Sequence, residues 1–240
     1  MNQSQQDIVL TPIGRVFSCW PEKFGIPKQP GLVMEATATV EFFPPYDREE
    51  MFRGLEDFSH IWVVFLFHDT VSEGWKPTVR PPRLGGQKRV GVFASRSPHR
   101  PNHLGMSVVR LVRVVVANGS VKLELAGVDL LDGTPVVDIK PYIPYAESLP
   151  NASCGFTMEA IPEVAVSFTT AAERFLAEYQ QRTGRNLREL VYQTLISDPR
   201  PASQRSIGRE YGALFWNVNV RWRVVDQGFE VFDSEEVTVK

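Results

Sequence analysis

The sequence predicts a mainly β N-terminal domain, of barrel or sandwich type, followed by a smaller α+β C-terminal domain. Three observations carry this. Short runs rich in Val, Ile and Phe, separated by Gly, Pro and Asn, fill the first 140 residues. The pattern turns helical after Tyr145, and alternation returns near the end, where Val218, Val220, Trp222 and Val224 interleave with Asn217, Asn219, Arg221 and Arg223.

Strands are expected over Ile8 to Ser18, Thr37 to Phe43, Ile61 to Phe67, Arg89 to Phe93, Met106 to Val116, Val121 to Leu125 and Val136 to Ile139. Asn118-Gly119 predicts a tight hairpin between the fifth and sixth runs, because both central positions of a type I′ turn need positive φ. One helix is expected over Asp47 to Phe58, capped by Asp47 and carrying Met51, Leu55 and Phe58 on one face. Beyond the boundary, set between Tyr145 and Ala160, Thr170 to Glu173 has a capping-box pattern with Gly184 as the stop. A second helix begins at Asn186 with Leu187, Leu190, Val191 and Leu195 inward, and a turn at Asp226 to Gly228 closes a final hairpin.

Composition narrows the function classes. The chain has 240 residues, 43% of them apolar, and no apolar run approaches the roughly 20 residues that cross a bilayer. Neither a membrane protein nor an exported one is expected, the polar Met1 to Asp7 lacking the apolar core of a secretory signal. Cys19 and Cys154 lie far apart without CxxC spacing, so neither a disulfide framework nor a thiolate metal site is expected, and a reducing cytoplasm suits the chain.

Charge is unevenly distributed. Between Gly74 and Leu123 stand Lys76, Arg80, Arg83, Lys88, Arg89, Arg96, Arg100, Arg110, Arg113 and Lys122, with no Asp or Glu. Subtracting these ten from 26 basic residues leaves 16 against 28 acidic ones, a balance of −12 elsewhere. A cationic segment within an acidic protein steers a polyanion to one place.

Several stretches could carry chemistry. Trp75 to Gly86 combines an aromatic, prolines, a Gly pair and arginines, the makings of a stiff loop whose guanidiniums match phosphate oxygens. Gly91 to Ser107 runs from strand through a polar loop to strand, with no Gly-x-Ser-x-Gly elbow, so a serine hydrolase is not indicated. His99 and His103 are four apart, but Pro98 and Pro101 exclude the helix that would pair them on a metal, and no metal is expected. Asp129, Asp132 and Asp138 surround an Asp-Gly-Thr-Pro turn, where carboxylates suit ribose hydroxyls or an ammonium better than a hard metal. GxGxxG, P-loop and HExxH motifs are absent.

The segments Lys23 to Leu32, Gly54 to Trp62, Arg80 to Gly86, Gly91 to Ser97, Arg100 to Asn102 and Asp132 to Tyr142 together resemble the TsaA-like, or TrmO, family. The resemblance extends to Asp198 to Pro201 and Asn217 to Trp222, a C-terminal part that shorter relatives lack. It implies a β-barrel-centred domain over residues 1–150, a C-terminal α+β domain over residues 151–240, and a homodimer. The activity it implies is tRNA (adenine-N6)-methyltransferase, moving a methyl group from S-adenosylmethionine to N6-threonylcarbamoyladenosine beside the anticodon. Cofactor contacts are implied at Pro27, Lys28, Gln29, His68, Asp69, Arg96, Met106, Leu131, Asp132, Gly133 and Thr134. Two positions depart from the family pattern: Asp69 stands where Gln is common, and His103-Leu104 stands where Pro-Ile is common.

Methyl transfer needs alignment of donor and acceptor in a dry site, and a poorly basic acceptor nitrogen gains from loss of its proton. Asp69, Asp132 and His68 are the candidates for that proton. For tRNA the expected contacts are Lys76, Arg80, Arg83, Lys88 and Arg89, with Arg221 and Arg223 on the C-terminal strand. The competing expectation is a noncatalytic RNA- or nucleotide-binding module clamping RNA on the Asn217 to Arg223 face.

Overall fold

A computed structural model describes residues 8–81, 88–155, 163–200, 207–226 and 228–238. Six strands close into an antiparallel barrel: β1 (Gly14–Ser18), β2 (Thr37–Phe42), β3 (His60–Leu66), β6 (Leu104–Ala117), β7 (Ser120–Ala126) and β8 (Pro135–Pro141). Around the barrel the order is β1-β2-β7-β6-β3-β8, with β8 pairing back to β1. β4 (Thr78–Val79) and β5 (Val90–Gly91) form a separate two-stranded ribbon.

Alternation decides which side chains fill the barrel. Ile61, Val63 and Phe65 of β3 point inward, as do Val121, Leu123 and Leu125 of β7. Close approaches within the barrel include Gly105, where a Cβ would lie 2.4 Å from Cζ of Phe65, so the ring occupies the space that the missing side chain leaves. The β6–β7 hairpin turns as expected, with φ of 53° at Asn118 and 78° at Gly119.

Three expectations in this half need correction. The segment from Asp47 to Phe58 is not one helix but two 3-10 turns, Glu49–Phe52 and Leu55–Asp57, because Gly54 between them adopts φ 85° and breaks the run. Arg48, not Asp47, precedes the first turn, and its side chain makes no cap. The strand read from Ile8 starts only at Gly14, where pairing with Phe42 begins, and the run read from Arg89 to Phe93 shortens to Val90–Gly91 before a 3-10 turn, Val92–Ala94.

The short α1 (Pro144–Glu147) follows the barrel, and the chain then builds a four-stranded sheet in the order β10-β11-β12-β9. Its strands are β9 (Ala165–Phe168), β10 (Glu210–Phe215), β11 (Val218–Val225) and β12 (Gly228–Glu236), with β9 parallel to β12. α2 (Thr170–Thr183) is capped one residue earlier than expected, the Thr169 hydroxyl accepting the Ala172 N–H at 3.3 Å. Gly184 ends it in the left-handed region. Asn186 caps α3 (Leu187–Ile196) by accepting the Glu189 N–H, also at 3.3 Å. Leu176 and Tyr179 of α2 and Leu190, Val191 and Leu195 of α3 are buried in the same core cluster as the sheet.

Residues 19–36 join the two halves. Trp20 donates from Nε1 to the Val128 carbonyl at 3.1 Å and sets its ring 5.6 Å from that of Phe215. Phe24 stacks on Trp222 at 6.0 Å, and the Trp216 N–H donates to the Cys19 carbonyl at 3.0 Å. Barrel and C-terminal sheet therefore share one apolar core.

Candidate functional site

Four segments of the barrel half converge. The first is the stiff loop Pro27 to Gln29. The second is a 3-10 turn, His68–Glu73, that continues β3; the Phe67 N–H before it donates to the His103 carbonyl at 2.9 Å. The third is the polar loop between β5 and β6, and the fourth is the turn Leu131 to Thr134 that leads into β8.

Hydrogen bonds hold each segment in shape. In the polar loop Arg100 donates from Nη1 to the Ser95 carbonyl at 3.1 Å, and Nδ1 of His103 meets the Pro98 carbonyl at 3.1 Å. In the last turn the Thr134 hydroxyl donates to the Leu131 carbonyl at 2.6 Å. The backbone N–H groups of Asp132 and Gly133 donate to the carbonyls of Trp20 and Val16, and Oδ1 of Asp132 accepts the Ser18 N–H at 2.8 Å.

Contacts between segments bring the expected residues together. Arg96 donates from Nη1 to Oε1 of Gln29 at 2.7 Å. Gly133, at φ 79°, faces the turn after β3, where a Cβ on it would stand 4.0 Å from Nε2 of His68, in ordinary contact. Asp69 is exposed and forms an ion pair with Lys23 at 2.7 Å; that hydrogen bond holds its carboxyl below the usual carboxylate range. Next to it Glu73 meets His99 at 2.9 Å, Lys76 at 3.8 Å and Lys23 at 3.9 Å. Met106 is 53% exposed at the start of β6. Pro27 and Leu131 are half-buried, Lys28 is exposed and Thr134 is buried.

The expected RNA contacts divide. Lys76, Arg80, Lys88 and Arg89 are exposed on and around the β4–β5 ribbon, which is tied to the polar loop by the Lys76 N–H donating to the His99 carbonyl at 3.0 Å. Arg83 lies outside the described residues. Arg221 and Arg223 already face carboxylates: Arg221 pairs with Glu210 at 2.9 Å and Asp233 at 3.6 Å, and Arg223 pairs with Glu230. Arg113 pairs with Glu124 at 2.7 Å and Lys122 with Glu41 at 2.6 Å, so part of the cationic segment is spent on cross-strand pairs.

Comparison with known proteins settles the family. Residues 15–148 match the family described as tRNA-methyltransferase O N-terminal domain, and residues 161–237 match the TrmO C-terminal domain. The chain belongs to the TrmO family. The Escherichia coli strain K12 protein named tRNA (adenine(37)-N6)-methyltransferase is 50% identical over 226 residues, 93% of this chain and 96% of its own length. A crystal structure of TrmO from Pseudomonas aeruginosa matches with a TM-score of 0.81 and 39% identity, covering 96% of this chain and 99% of that one. A Pyrococcus abyssi protein named "Probable S-adenosyl-L-methionine-binding protein" is 38% identical over 149 residues, 62% of this chain and 76% of its own.

Within this TrmO-family chain, Asp129, read from sequence as one of three carboxylates suited to ribose hydroxyls or an ammonium, is placed with one oxygen buried. That oxygen, Oδ1, has no hydrogen-bond partner. Burial pushes its carboxyl up to about 6, against the opposing pull of a Ser107 hydrogen bond and the nearby Arg96 charge. A lone carboxylate in the apolar run Val128-Asp-Leu-Leu131 is the sequence signal of that burial. Sequence reasoning missed the Lys23, Glu73 and His99 cluster, whose members are too far apart in sequence to suggest one another. A groove of about 540 Å³ between barrel and C-terminal half is lined by Asp132 itself, with Ser18, Pro21, Arg182, Arg185 and Trp216 among others.

Proposed function

We propose that the chain is a tRNA (adenine(37)-N6)-methyltransferase whose methyl donor is S-adenosylmethionine and whose acceptor is N6-threonylcarbamoyladenosine. The reading rests on a match to the Escherichia coli methyltransferase over 93% of the chain. Local geometry supports it: segments far apart in sequence meet through the Arg96–Gln29 bond and the approach of Gly133 to His68.

The residues present suit such a donor, which supplies a methyl group on a sulfonium. Asp69 and Asp132 are exposed carboxylates, each with one oxygen already bonded, to Lys23 and to the Ser18 N–H, and Gly133 puts no side chain beside His68. Pro27, Lys28, Gln29 and Arg96 would border it on one side. His68, Asp69 and Leu131 to Thr134 would border it on the other, with Met106 between.

For tRNA the exposed ribbon cations Lys76, Arg80, Lys88 and Arg89 supply a field beside the pocket, with Arg221 and Arg223 as secondary contacts. The same reading gives a division into residues 1–150 and 151–240, a homodimer, and a cytoplasmic location. Exposed Trp75, Phe93 and Met106 near the site support burial against a second subunit or RNA. The free thiols of Cys19 and Cys154 suit a reducing compartment. No helix among the described residues is long and apolar enough to cross a membrane.

Incubation with methyl-labelled donor and tRNA carrying threonylcarbamoyladenosine tests the reading. Label is expected in that tRNA and not in tRNA lacking the threonylcarbamoyl group. Salt-sensitive RNA binding with no donor dependence and no transfer would replace it with a noncatalytic RNA-binding module.

A further inference from the structure

The groove of about 540 Å³ between the two halves has Asp132 in its wall. Asp132 also belongs to the turn that leads into β8, where its neighbour Gly133 faces His68. One residue therefore edges both the loops proposed to hold the donor and a second, open space. An acceptor of a methyl group must lie against the donor, so this space is placed to receive part of the acceptor.

The opposite wall is built around Arg185, an exposed residue just past the Gly184 stop of α2. Its Nη1 donates to the Tyr179 hydroxyl at 3.3 Å, and that hydroxyl donates to Oδ1 of Asn217 at 2.9 Å. Tyr179 is fully buried, so the core aims the guanidinium. The backbone N–H of Arg185 donates to the Thr183 hydroxyl at 3.2 Å. The guanidinium also lies over the Trp216 ring, 5.0 Å from its centroid, and the Trp216 N–H is itself tied to the Cys19 carbonyl at 3.0 Å. A cation held this way loses little freedom when an anion arrives.

Charge singles Arg185 out. Arg182, the other cation of the groove, pairs with Glu236, whereas Arg185 has no ion pair among the described residues. With Arg182 and Glu236 cancelling each other, Arg185 and Asp132 are left. A run of phosphates would be repelled by Asp132. A ligand with a single negative charge and a few hydroxyl or N–H donors matches both residues.

We propose that this groove is the subsite for the threonylcarbamoyl group of the acceptor nucleotide, with Arg185 pairing its carboxylate. The inference rests on the methyltransferase reading above and adds to it a specificity-determining residue. A threonylcarbamoyl group carries one carboxylate, one hydroxyl and ureido N–H donors. The free N–H groups of Arg185 take the carboxylate, Trp216 and Pro21 line the space for the aliphatic part, and Asp132 accepts from a hydroxyl or N–H at the donor end. Adenosine without the group would leave the guanidinium unpaired, and the groove discriminates against it on that account.

Binding of an anticodon stem-loop RNA, measured by calorimetry with S-adenosylhomocysteine present, tests this without any transfer. Three forms of the RNA are compared: the threonylcarbamoyl form, its neutral carboxamide, and plain adenosine. Wild type should bind the acid about 10- to 100-fold more tightly than the carboxamide, the range for a hydrogen bond to a charged group. Arg185→Ala should bind acid and carboxamide alike, while its affinities for the plain RNA and for S-adenosylmethionine stay within about twofold of wild type. Arg185→Lys, which keeps the charge without the fork, should retain part of the preference. Absence of an acid preference in wild type, or its survival in Arg185→Ala, would overturn the assignment. Equal weakening of the plain RNA would make Arg185 a backbone-phosphate contact, and a fall in donor affinity would make it a donor contact; either overturns it too. Wild-type protein that transfers no label to the modified tRNA would instead overturn the methyltransferase reading on which the inference stands.

Discussion

Arg96 and Gln29, 67 residues apart in sequence, are joined side chain to side chain at 2.7 Å, tying the polar loop before β6 to the stiff segment before β2. The bond is exposed and so contributes little to folding, but it sets the position of a guanidinium beside a buried carboxylate. That division between small structural worth and large local charge makes Arg96 a clean probe of the pocket.

Arg96→Ala should weaken donor binding about 10- to 100-fold, the loss of a hydrogen bond to a charged group. Its denaturation midpoint should stay close to wild type. Titration calorimetry with S-adenosylmethionine and its demethylated product checks the first statement. Unchanged binding of both donor and tRNA would remove Arg96 from the site.

Asp129 governs a pH-dependent part of stability. Its carboxyl is raised from 3.8 to about 6, so the folded state holds the proton more tightly than the unfolded chain. Its contribution to stability is therefore fully present below about 4 and is lost as pH rises through 6. Asp129→Asn should match wild type near pH 4 and exceed it at pH 7.5 by on the order of 2 kcal/mol, as urea titrations at the two pH values would record.

The Lys23–Asp69 pair should behave in the opposite way. Both side chains are about half exposed, 53% and 52%, so the pair is worth at most about 1 kcal/mol after screening. Asp69→Asn should therefore leave the thermal midpoint nearly unmoved while lowering donor affinity. A large loss of stability with intact donor binding would make Asp69 structural.

Cations already neutralised by the protein should matter less to RNA than those left exposed. Replacing Arg80, Lys88 and Arg89 by Ala should make the salt dependence of tRNA binding shallower, by about one in slope for each phosphate that is no longer neutralised, with Lys76, which faces Glu73 at 3.8 Å, adding less. Arg221→Glu with Arg223→Glu should lower tRNA affinity less steeply, since Glu210, Asp233 and Glu230 already meet those charges. Donor binding should be spared in both sets; its loss alongside tRNA binding would indicate a folding defect.

Gly105→Ala tests barrel closure. The added methyl would meet the Phe65 ring at 2.4 Å, and relief by ring or strand displacement should cost about 1–3 kcal/mol in a denaturant titration. No change would mean that β3 and β6 are not packed this closely.

Much of this molecule was legible from its residues. Val and Ile alternation marked β2, β3, β6 and β7, and Asn118-Gly119 marked the β6–β7 hairpin, because period-two burial and positive φ leave direct traces in sequence. The Asp47 to Phe58 helix failed because apolar spacing alone could not report that Gly54 would adopt φ 85° and split it. β9 was missed because its parallel partner, β12, is remote in the chain, and β10 because its hairpin to β11 turns at Trp216, a positive-φ position that carries no Gly or Asn signal. Remoteness in the chain also hid part of the site. Family motifs named residues now found at the convergent loops, but the meeting of Lys23, Glu73 and His99 exists only once the chain has folded.

The central claim is methylation of N6-threonylcarbamoyladenosine by this chain. Mass analysis of nucleosides from tRNA incubated with the protein and S-adenosylmethionine tests it most directly. The modified nucleoside should gain the mass of one methyl group, on N6 of the adenine, and should do so only with the donor present. Unchanged nucleoside, with protein that binds both tRNA and donor, would contradict it.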